Sequence, residues 1–267
     1  MALKVSIRKI AKPKQLEISG SSVFMRNNQQ IIGAGRAIEI KAKGKNRVAE
    51  LAAGWKEILA TAEIDNQSGL DDAALIALTS ITFSEDSSQD SVLFVPRVTR
   101  VYRGEIGFEV TIEGPESSPE DFHPALGSFQ EGSFSTDGFK TAVDKALEAF
   151  SVTELKKVVI SRDLVMPIGS RPNLEAPLKR LHERYPDCWT YAIGDVFGAS
   201  PELLLRAKNG EVSARVLAGT AGRGTDPDVD RAIAGCGIVI ESDPVAELAE
   251  TDLKFKAVRY AFEAESL

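Results

Sequence analysis

Between Trp189 and Leu217 the chain carries four short apolar runs in close succession: Trp189–Ile193, Phe197–Glu202, Leu203–Ala207 and Val212–Leu217. Asn209-Gly210 separates the last two. Both central positions of a type I′ turn need positive φ, which Asn and Gly tolerate, so this pair marks a hairpin. Such a pattern commits the stretch to an antiparallel meander.

The first third reads as strands around one helix. Ser22–Arg26 and Gln30–Gly33 flank Asn27-Asn28, a second hairpin turn. Arg47–Ala60 places Val48, Leu51, Trp55, Ile58 and Leu59 at helical spacing. Ala73–Phe83 and Ser91–Val95 are apolar and partly β-branched and are expected as strands. Gly114–Gly132, rich in Pro, Ser, Glu and Gly, is expected as a loop.

A helix is expected over Gly138–Phe150, with Phe139, Val143, Ala146, Leu147 and Phe150 on one stripe and Ser135, Thr136 or Asp137 as cap. Lys157–Ser161 reads as a short strand. Asn173–Tyr185 reads as a helix between Pro172 and Pro186. A last helix is expected over Pro244–Phe262, with Asp243 as cap and Pro244 in the first turn. Helices interrupting mainly antiparallel strands make an α+β protein.

Composition narrows the function classes. The 267 residues are 43% hydrophobic and 27% charged, enough apolar content for a sizeable core. Thirty-nine acidic residues outnumber 32 basic ones, a net charge of −7, which argues against nucleic acid as the main partner. Two cysteines, Cys188 and Cys236, make neither a disulfide framework nor a metal spacing, so a reducing cytoplasm is expected. Two histidines, His123 and His182, exclude a histidine-rich metal site. The N-terminal residues mix charge with apolar groups and lack a signal-peptide core, and no membrane span is expected.

Three segments carry chemistry. One is Lys157-Val158-Val159-Ile160-Ser161-Arg162. Another is Gly198-Ala199-Ser200-Pro201-Glu202-Leu203-Leu204-Leu205, followed by Val216-Leu217-Ala218-Gly219-Thr220. The third is Ala234-Gly235-Cys236-Gly237-Ile238-Val239, then Ser242-Asp243-Pro244, Glu247, Glu250, Thr251 and Lys254. In this order they resemble the chorismate-binding enzymes: isochorismate, salicylate, anthranilate and aminodeoxychorismate synthases. Residues 180–190 and 234–239 are most similar to the isochorismate synthases of menaquinone biosynthesis.

The resemblance implies an anthranilate synthase component I-like fold, largely antiparallel sheets with outer helices, here incomplete. It implies one chorismate-binding domain over 1–267: a strand-rich part to residue 134, a catalytic core over 135–234, and a C-terminal strand and metal-binding helix over 235–267. It also implies Mg²⁺-dependent isomerisation of chorismate to isochorismate, in which water adds at C2 and the C4 hydroxyl leaves. Lys157 matches the general base and Glu202 the general acid. Gly219, Thr220, Gly235 and Lys254 match substrate contacts, while Glu250 matches a direct metal ligand and Glu247 a close or water-bridged one.

Partial burial would favour a neutral Lys157 amine and a protonated Glu202. Ala218 stands where covalent aminodeoxychorismate synthases place a lysine, and Lys157 where anthranilate synthases place glutamine, so both branches are disfavoured. Without the resemblance each site residue reads as ordinary: a strand-end lysine, a glutamate at a bend, a glycine turn, and a solvated i, i+4 pair between Glu250 and Lys254.

The family order breaks once. Residues 228–234 run straight into Gly235, whereas relatives insert a long block bearing the opposing metal carboxylate and a substrate-binding arginine. Unpartnered apolar faces and weaker metal binding are the expected consequences. Three functions stay open: an isochorismate synthase feeding menaquinone or siderophore synthesis, a salicylate synthase, and a catalytically inactive truncated homologue.

Overall fold

The computed structural model describes residues 3–18, 20–114, 128–166, 173–208, 210–215 and 237–263. The chain forms two compact units, and it passes between them more than once. One comprises residues 1–122 and 173–201, the other 123–172 and 202–267.

In the first unit an eight-stranded sheet is built from β1 (Leu3–Ala11), β2 (Ser22–Arg26), β3 (Gln29–Ala34), β5 (Ala62–Asn66), β8 (Val98–Arg103), β9 (Ile106–Ile112), β12 (Trp189–Ile193) and β13 (Val196–Ser200). Their order is β13-β12-β2-β3-β8-β9-β1-β5. Every neighbouring pair is antiparallel except β1–β5, whose connection includes helix α1 (Arg47–Thr61). The antiparallel run follows from tight turns. Arg26 pairs with Gln29 across Asn27-Asn28, and Asn27 adopts the φ of +49° that such a turn requires. A smaller sheet, ordered β4-β7-β6, joins β4 (Ile38–Ala42), β6 (Leu78–Ser80) and β7 (Ser91–Val95).

Alternation along β1 sends Val5 and Ile7 inward, where they meet Val110, Ile112 and Ile58 in the main core. A second cluster, of Val23, Met25, Ile32 and Tyr102, is covered by Leu178 from helix α3 (Glu175–Arg184).

The strand expected over Ala73–Phe83 shrinks to Leu78–Ser80. Leu78 pairs with Phe94, so a longer ladder would need Pro96 beside Ile76, and proline has no N–H to give. Ala73 and Leu75 are nonetheless buried, packing as unpaired chain. That is why they look like strand in sequence.

The second unit is organised by helix α2 (Thr136–Val152) and helix α4 (Pro244–Glu263). Ser135 caps α2, its Oγ accepting from the Gly138 N–H at 3.0 Å. Asp243 caps α4, its Oδ1 accepting from Val245 and Ala246 at 3.0 and 2.8 Å. Phe139, Val143, Ala146 and Phe150 close over Ile238, with Val158, Ile160 and Leu248 at the margin. β10 (Gln130–Glu131) and β11 (Leu164–Val165) form a short pair, so the loop expected to Gly132 ends in a strand among the described residues. β14 (Leu203–Lys208) and β15 (Glu211–Arg215) form a separate hairpin with Gly210 at φ +81°, so the expected four-strand meander divides into two hairpins in different sheets, β13 and β14 being unpaired with each other. Leu204 is 90% exposed and Val212 71%. No helix among the described residues is long and apolar enough to cross a membrane.

Two outcomes follow from this packing. Ile7→Ala empties a fully enclosed site and lowers first-unit stability by about 2–5 kcal/mol, measured by urea unfolding. His182, on α3, has a buried Nδ1 with no hydrogen-bond partner, and burial, then the charge of Lys12, pushes its pKa down. The unfolded chain therefore binds this proton first, and stability falls as pH drops below about 6.5 until the folded-state value is passed. His182→Leu flattens that part of the stability–pH curve; an unchanged slope assigns the acid sensitivity elsewhere.

Candidate functional site

Of the eight residues singled out in the sequence, five lie in described parts of the second unit: Lys157, Glu202, Glu247, Glu250 and Lys254. Gly219, Thr220 and Gly235 lie outside the described residues.

Lys157 opens a segment that the sequence predicted as a strand. Among the described residues it makes only one isolated bridge, Val158 with Ile238, whose N–H groups donate to each other's carbonyls at 3.1 and 2.7 Å. The partner segment turns away at once: the Val239 N–H donates to Ser242 Oγ at 3.1 Å and the Ser242 N–H returns to the Val239 carbonyl at 3.0 Å. That turn closes off pairing on the Lys157 side, while the positions that would face Ile160 and Ser161 lie outside the described residues. Alternation still holds, with Val158 and Ile160 facing the core and Val159 left 70% exposed.

Lys157 itself is exposed. Its aliphatic stem lies against Gly237: a Cβ there would collide with Lys157 Cε and stand 2.9 Å from Nζ. A larger residue there would displace the end of the lysine side chain. The lysine stem thus runs over the backbone of the third motif, two residues after Gly235.

Glu202 sits at the bend between β13 and β14 and is exposed. The desolvation expected around Lys157 and Glu202 is therefore not supplied by the described residues. Pro201, which the sequence offers as a wall for Glu202, is exposed as well.

On α4, Glu247 and Glu250 are half-buried one turn apart. Lys254 Nζ lies 3.5 Å from Glu250 Oε1, the i, i+4 pair that spacing alone predicts. Among the described residues there is no cluster of three or more His, Cys, Asp or Glu side chains. Two carboxylates on one helix face still suit Mg²⁺, which prefers hard oxygen donors and keeps several waters when protein ligands are few. The donor type suits the ion, and the described residues supply two of the oxygens its shell needs.

Sequence reasoning gave Arg162 no role. Its side chain is 4% exposed. Nε donates to Thr251 Oγ1 at 2.7 Å, a terminal nitrogen pairs with Asp252, and the guanidinium lies 5.0 Å from the Phe255 ring centre. The next residue, Asp163, reaches the other way and accepts from the Ser133 N–H at 2.7 Å. A polar residue closing an apolar run, matched by Thr, Asp and Phe at i, i+1 and i+4 of a helix, is the signal that could have found it.

Titration elsewhere does not compete for this chemistry. Burial pushes the Cys188 thiol up, so it is a poor nucleophile. At the entry to α2, the Thr136 hydroxyl and N–H hold Glu131 below the usual carboxylate range, and Lys140 does the same for Asp137.

Residues 109–234 match the family described as chorismate binding enzyme, a little under half of the chain. The match ends directly before Gly235, where the motif order departs from the family pattern. Isochorismate synthase MenF of Bacillus subtilis is 30% identical over 47% of this chain and 27% of its own length. Anthranilate synthase component 1 of Cereibacter sphaeroides is 33% identical over 38% and 20%, and that of Haloferax volcanii 31% identical over 62% and 34%. The chain thus spans between a fifth and a third of these relatives. Among solved structures, DhbC of Bacillus anthracis aligns over 82% of this chain and 53% of its own, with a TM-score of 0.55 at 19% identity. MenF of Escherichia coli aligns over 76% and 52%, with a TM-score of 0.52 at 15% identity. The fold is therefore the α+β chorismate-utilising fold, covered in part. Sequence and fold together relate this chain to the chorismate-binding enzymes, through a family match that spans residues 109–234.

Proposed function

We propose that this chain carries the core of an isochorismate synthase site and acts on chorismate with Mg²⁺. The observation that carries this reading is the position of Lys157. Its stem is laid across Gly237, and its segment is bridged to Ile238 just before the carboxylate-bearing helix α4. The proposed base and the two metal-type carboxylates thereby belong to one unit.

In the proposed chemistry the Lys157 amine takes a proton from water as its oxygen bonds to C2 of the ring. Both ring double bonds shift by one position, and Glu202 gives its proton to the C4 hydroxyl, which leaves as water. One water enters and one leaves, so the reaction is an isomerisation. Mg²⁺, held by Glu250 and Glu247, would offset the negative charge of the substrate carboxylate. Lys254 takes part of that charge once released from Glu250, and the backbone at Gly235, Gly219 and Thr220 would orient the ring.

Salicylate formation uses the same groups followed by loss of pyruvate. Residues 180–190 are more similar to menaquinone-type isochorismate synthases, which favours isochorismate as the released product. Cytoplasmic, menaquinone-linked metabolism is the setting this reading implies. The inactive alternative rests on two features: both proposed proton-transfer groups are exposed, and no third carboxylate joins Glu247 and Glu250 among the described residues.

Chorismate turnover by the chain should accordingly be Mg²⁺-dependent but slow. Losing the opposing carboxylate and the arginine clamp, each worth on the order of 10²-fold, puts the rate at least about 10³-fold below that of MenF from Bacillus subtilis. Chromatographic product analysis checks both rate and identity. Turnover at the MenF rate would show the absent block to be dispensable, and no Mg²⁺-dependent product above background would favour the inactive homologue.

Lys157→Ala should abolish whatever product forms. Gly237→Ala should lower kcat by about tenfold or more by displacing the lysine stem, with little change in KM. A Gly237→Ala chain with full kcat would remove the Lys157–Gly237 contact from the mechanism.

A further inference from the structure

We propose that Arg162 is the positioning residue of this site: it fixes helix α4, and with it Glu247 and Glu250, relative to the Lys157 segment. The inference rests on the reading of α4 as the metal-binding helix.

The guanidinium is nearly enclosed, at 4% exposure, and uses its donors and its face together. Nε donates to Thr251 at 2.7 Å, a terminal nitrogen pairs with Asp252, and the planar face covers Phe255 at 5.0 Å. Thr251 is itself buried and passes the contact on, its hydroxyl donating to the Leu248 carbonyl at 2.7 Å. Leu248 packs against the core beside Val158 and Ile160. These contacts begin at the residue after Glu250 and act on the neighbouring face of the same helical turns. They restrain both rotation of α4 about its axis and sliding along it.

The other end is equally held. Val158 is bridged to Ile238, and Asp163 is tied to Ser133 at 2.7 Å. The segment from 157 to 163 is therefore pinned on opposite sides, and Arg162 is the side chain through which it grips α4. Lysine is a poor substitute, because one ammonium cannot hydrogen-bond in a fork and stack by its face at once.

The test uses the full chain, Mn²⁺ as a spectroscopic stand-in for Mg²⁺, and three variants: Arg162→Ala, Arg162→Lys and the core control Val143→Ala. Mn²⁺ affinity is read by electron paramagnetic resonance, and α4 by amide hydrogen exchange over residues 248–256. Arg162→Ala is expected to weaken Mn²⁺ binding by about tenfold or more, as loss of groups supporting metal ligands does, and to speed α4 exchange. Arg162→Lys recovers part of both. Val143→Ala, which empties a buried position on α2, lowers the urea midpoint but keeps Mn²⁺ affinity within about twofold.

Mn²⁺ affinity unchanged in Arg162→Ala, or lost equally in Val143→Ala, overturns the positioning role. No Mn²⁺ binding by the unaltered chain overturns the metal reading beneath it. The exchange data then decide the grip alone: faster exchange in Arg162→Ala but not in Val143→Ala sustains it, and equal exchange overturns it.

Discussion

The second unit depends on one meeting point, where the segment from Lys157 to Asp163 touches the residues around Ile238 and the middle of α4. The contacts join residues 80 to 90 apart in sequence. Closing so long a loop costs conformational entropy that local structure does not repay, so the contacts at the junction must be strong or numerous. They are both. Apolar side chains of Val158, Ile160, Ile238 and Leu248 close with α2, and an enclosed guanidinium is hydrogen-bonded, ion-paired and stacked at its rim. A buried cation left without partners would cost more than the apolar cluster contributes per residue. That asymmetry makes Arg162 selective as well as stabilising: any packing of α4 that does not meet it is penalised.

Much of the fold was legible because its signals are local. The hairpins at Asn27-Asn28 and between β14 and β15, and the Asp243 cap of α4, depend on neighbours within a few residues and were read from sequence, and the α2 cap fell on Ser135, one of the three candidates. The misses are non-local. Ala73–Ala77 has the burial of a strand without the pairing, because the partner strand ends at a proline some 20 residues away. Lys157–Ser161 has the composition of a strand, yet its Lys157 side meets a turn and one bridge forms among the described residues. β-propensity reports fitness for a pleated, half-buried surface and cannot report whether a partner is long enough. The return of residues 173–201 to the first unit is of the same kind, since no local feature says which sheet Trp189–Ile193 will join.

The candidate site was legible only as an order of motifs. Lys157, Glu202 and Glu250 are individually unremarkable surface residues, and the structure leaves Lys157 and Glu202 exposed. What sequence could not supply is the contact set around them. Gly237 reads as one glycine among several until the lysine stem is seen lying over it. Arg162 reads as the polar end of an apolar run until Thr251, Asp252 and Phe255 are found beneath it. Both are residues whose importance comes from what approaches them.

The same geometry ties metal and substrate binding together. Glu250 already has a counter-ion, since Lys254 stands 3.5 Å away on the next turn. Among the described residues, a divalent cation approaching Glu247 and Glu250 meets two carboxylates, one of them already paired with an ammonium, too few anionic oxygens to hold it strongly. On the proposed reading a substrate carboxylate changes that balance twice. It draws Lys254 off Glu250, and it adds an anionic oxygen ligand for the ion. Each ligand then raises the affinity of the other by the same factor, as linkage requires. Where the described residues offer two carboxylates, substrate would thus supply part of the metal site, and α4 must stand still for that exchange of partners to work. Its enclosed contact with Arg162 is the feature of the described structure that holds it so.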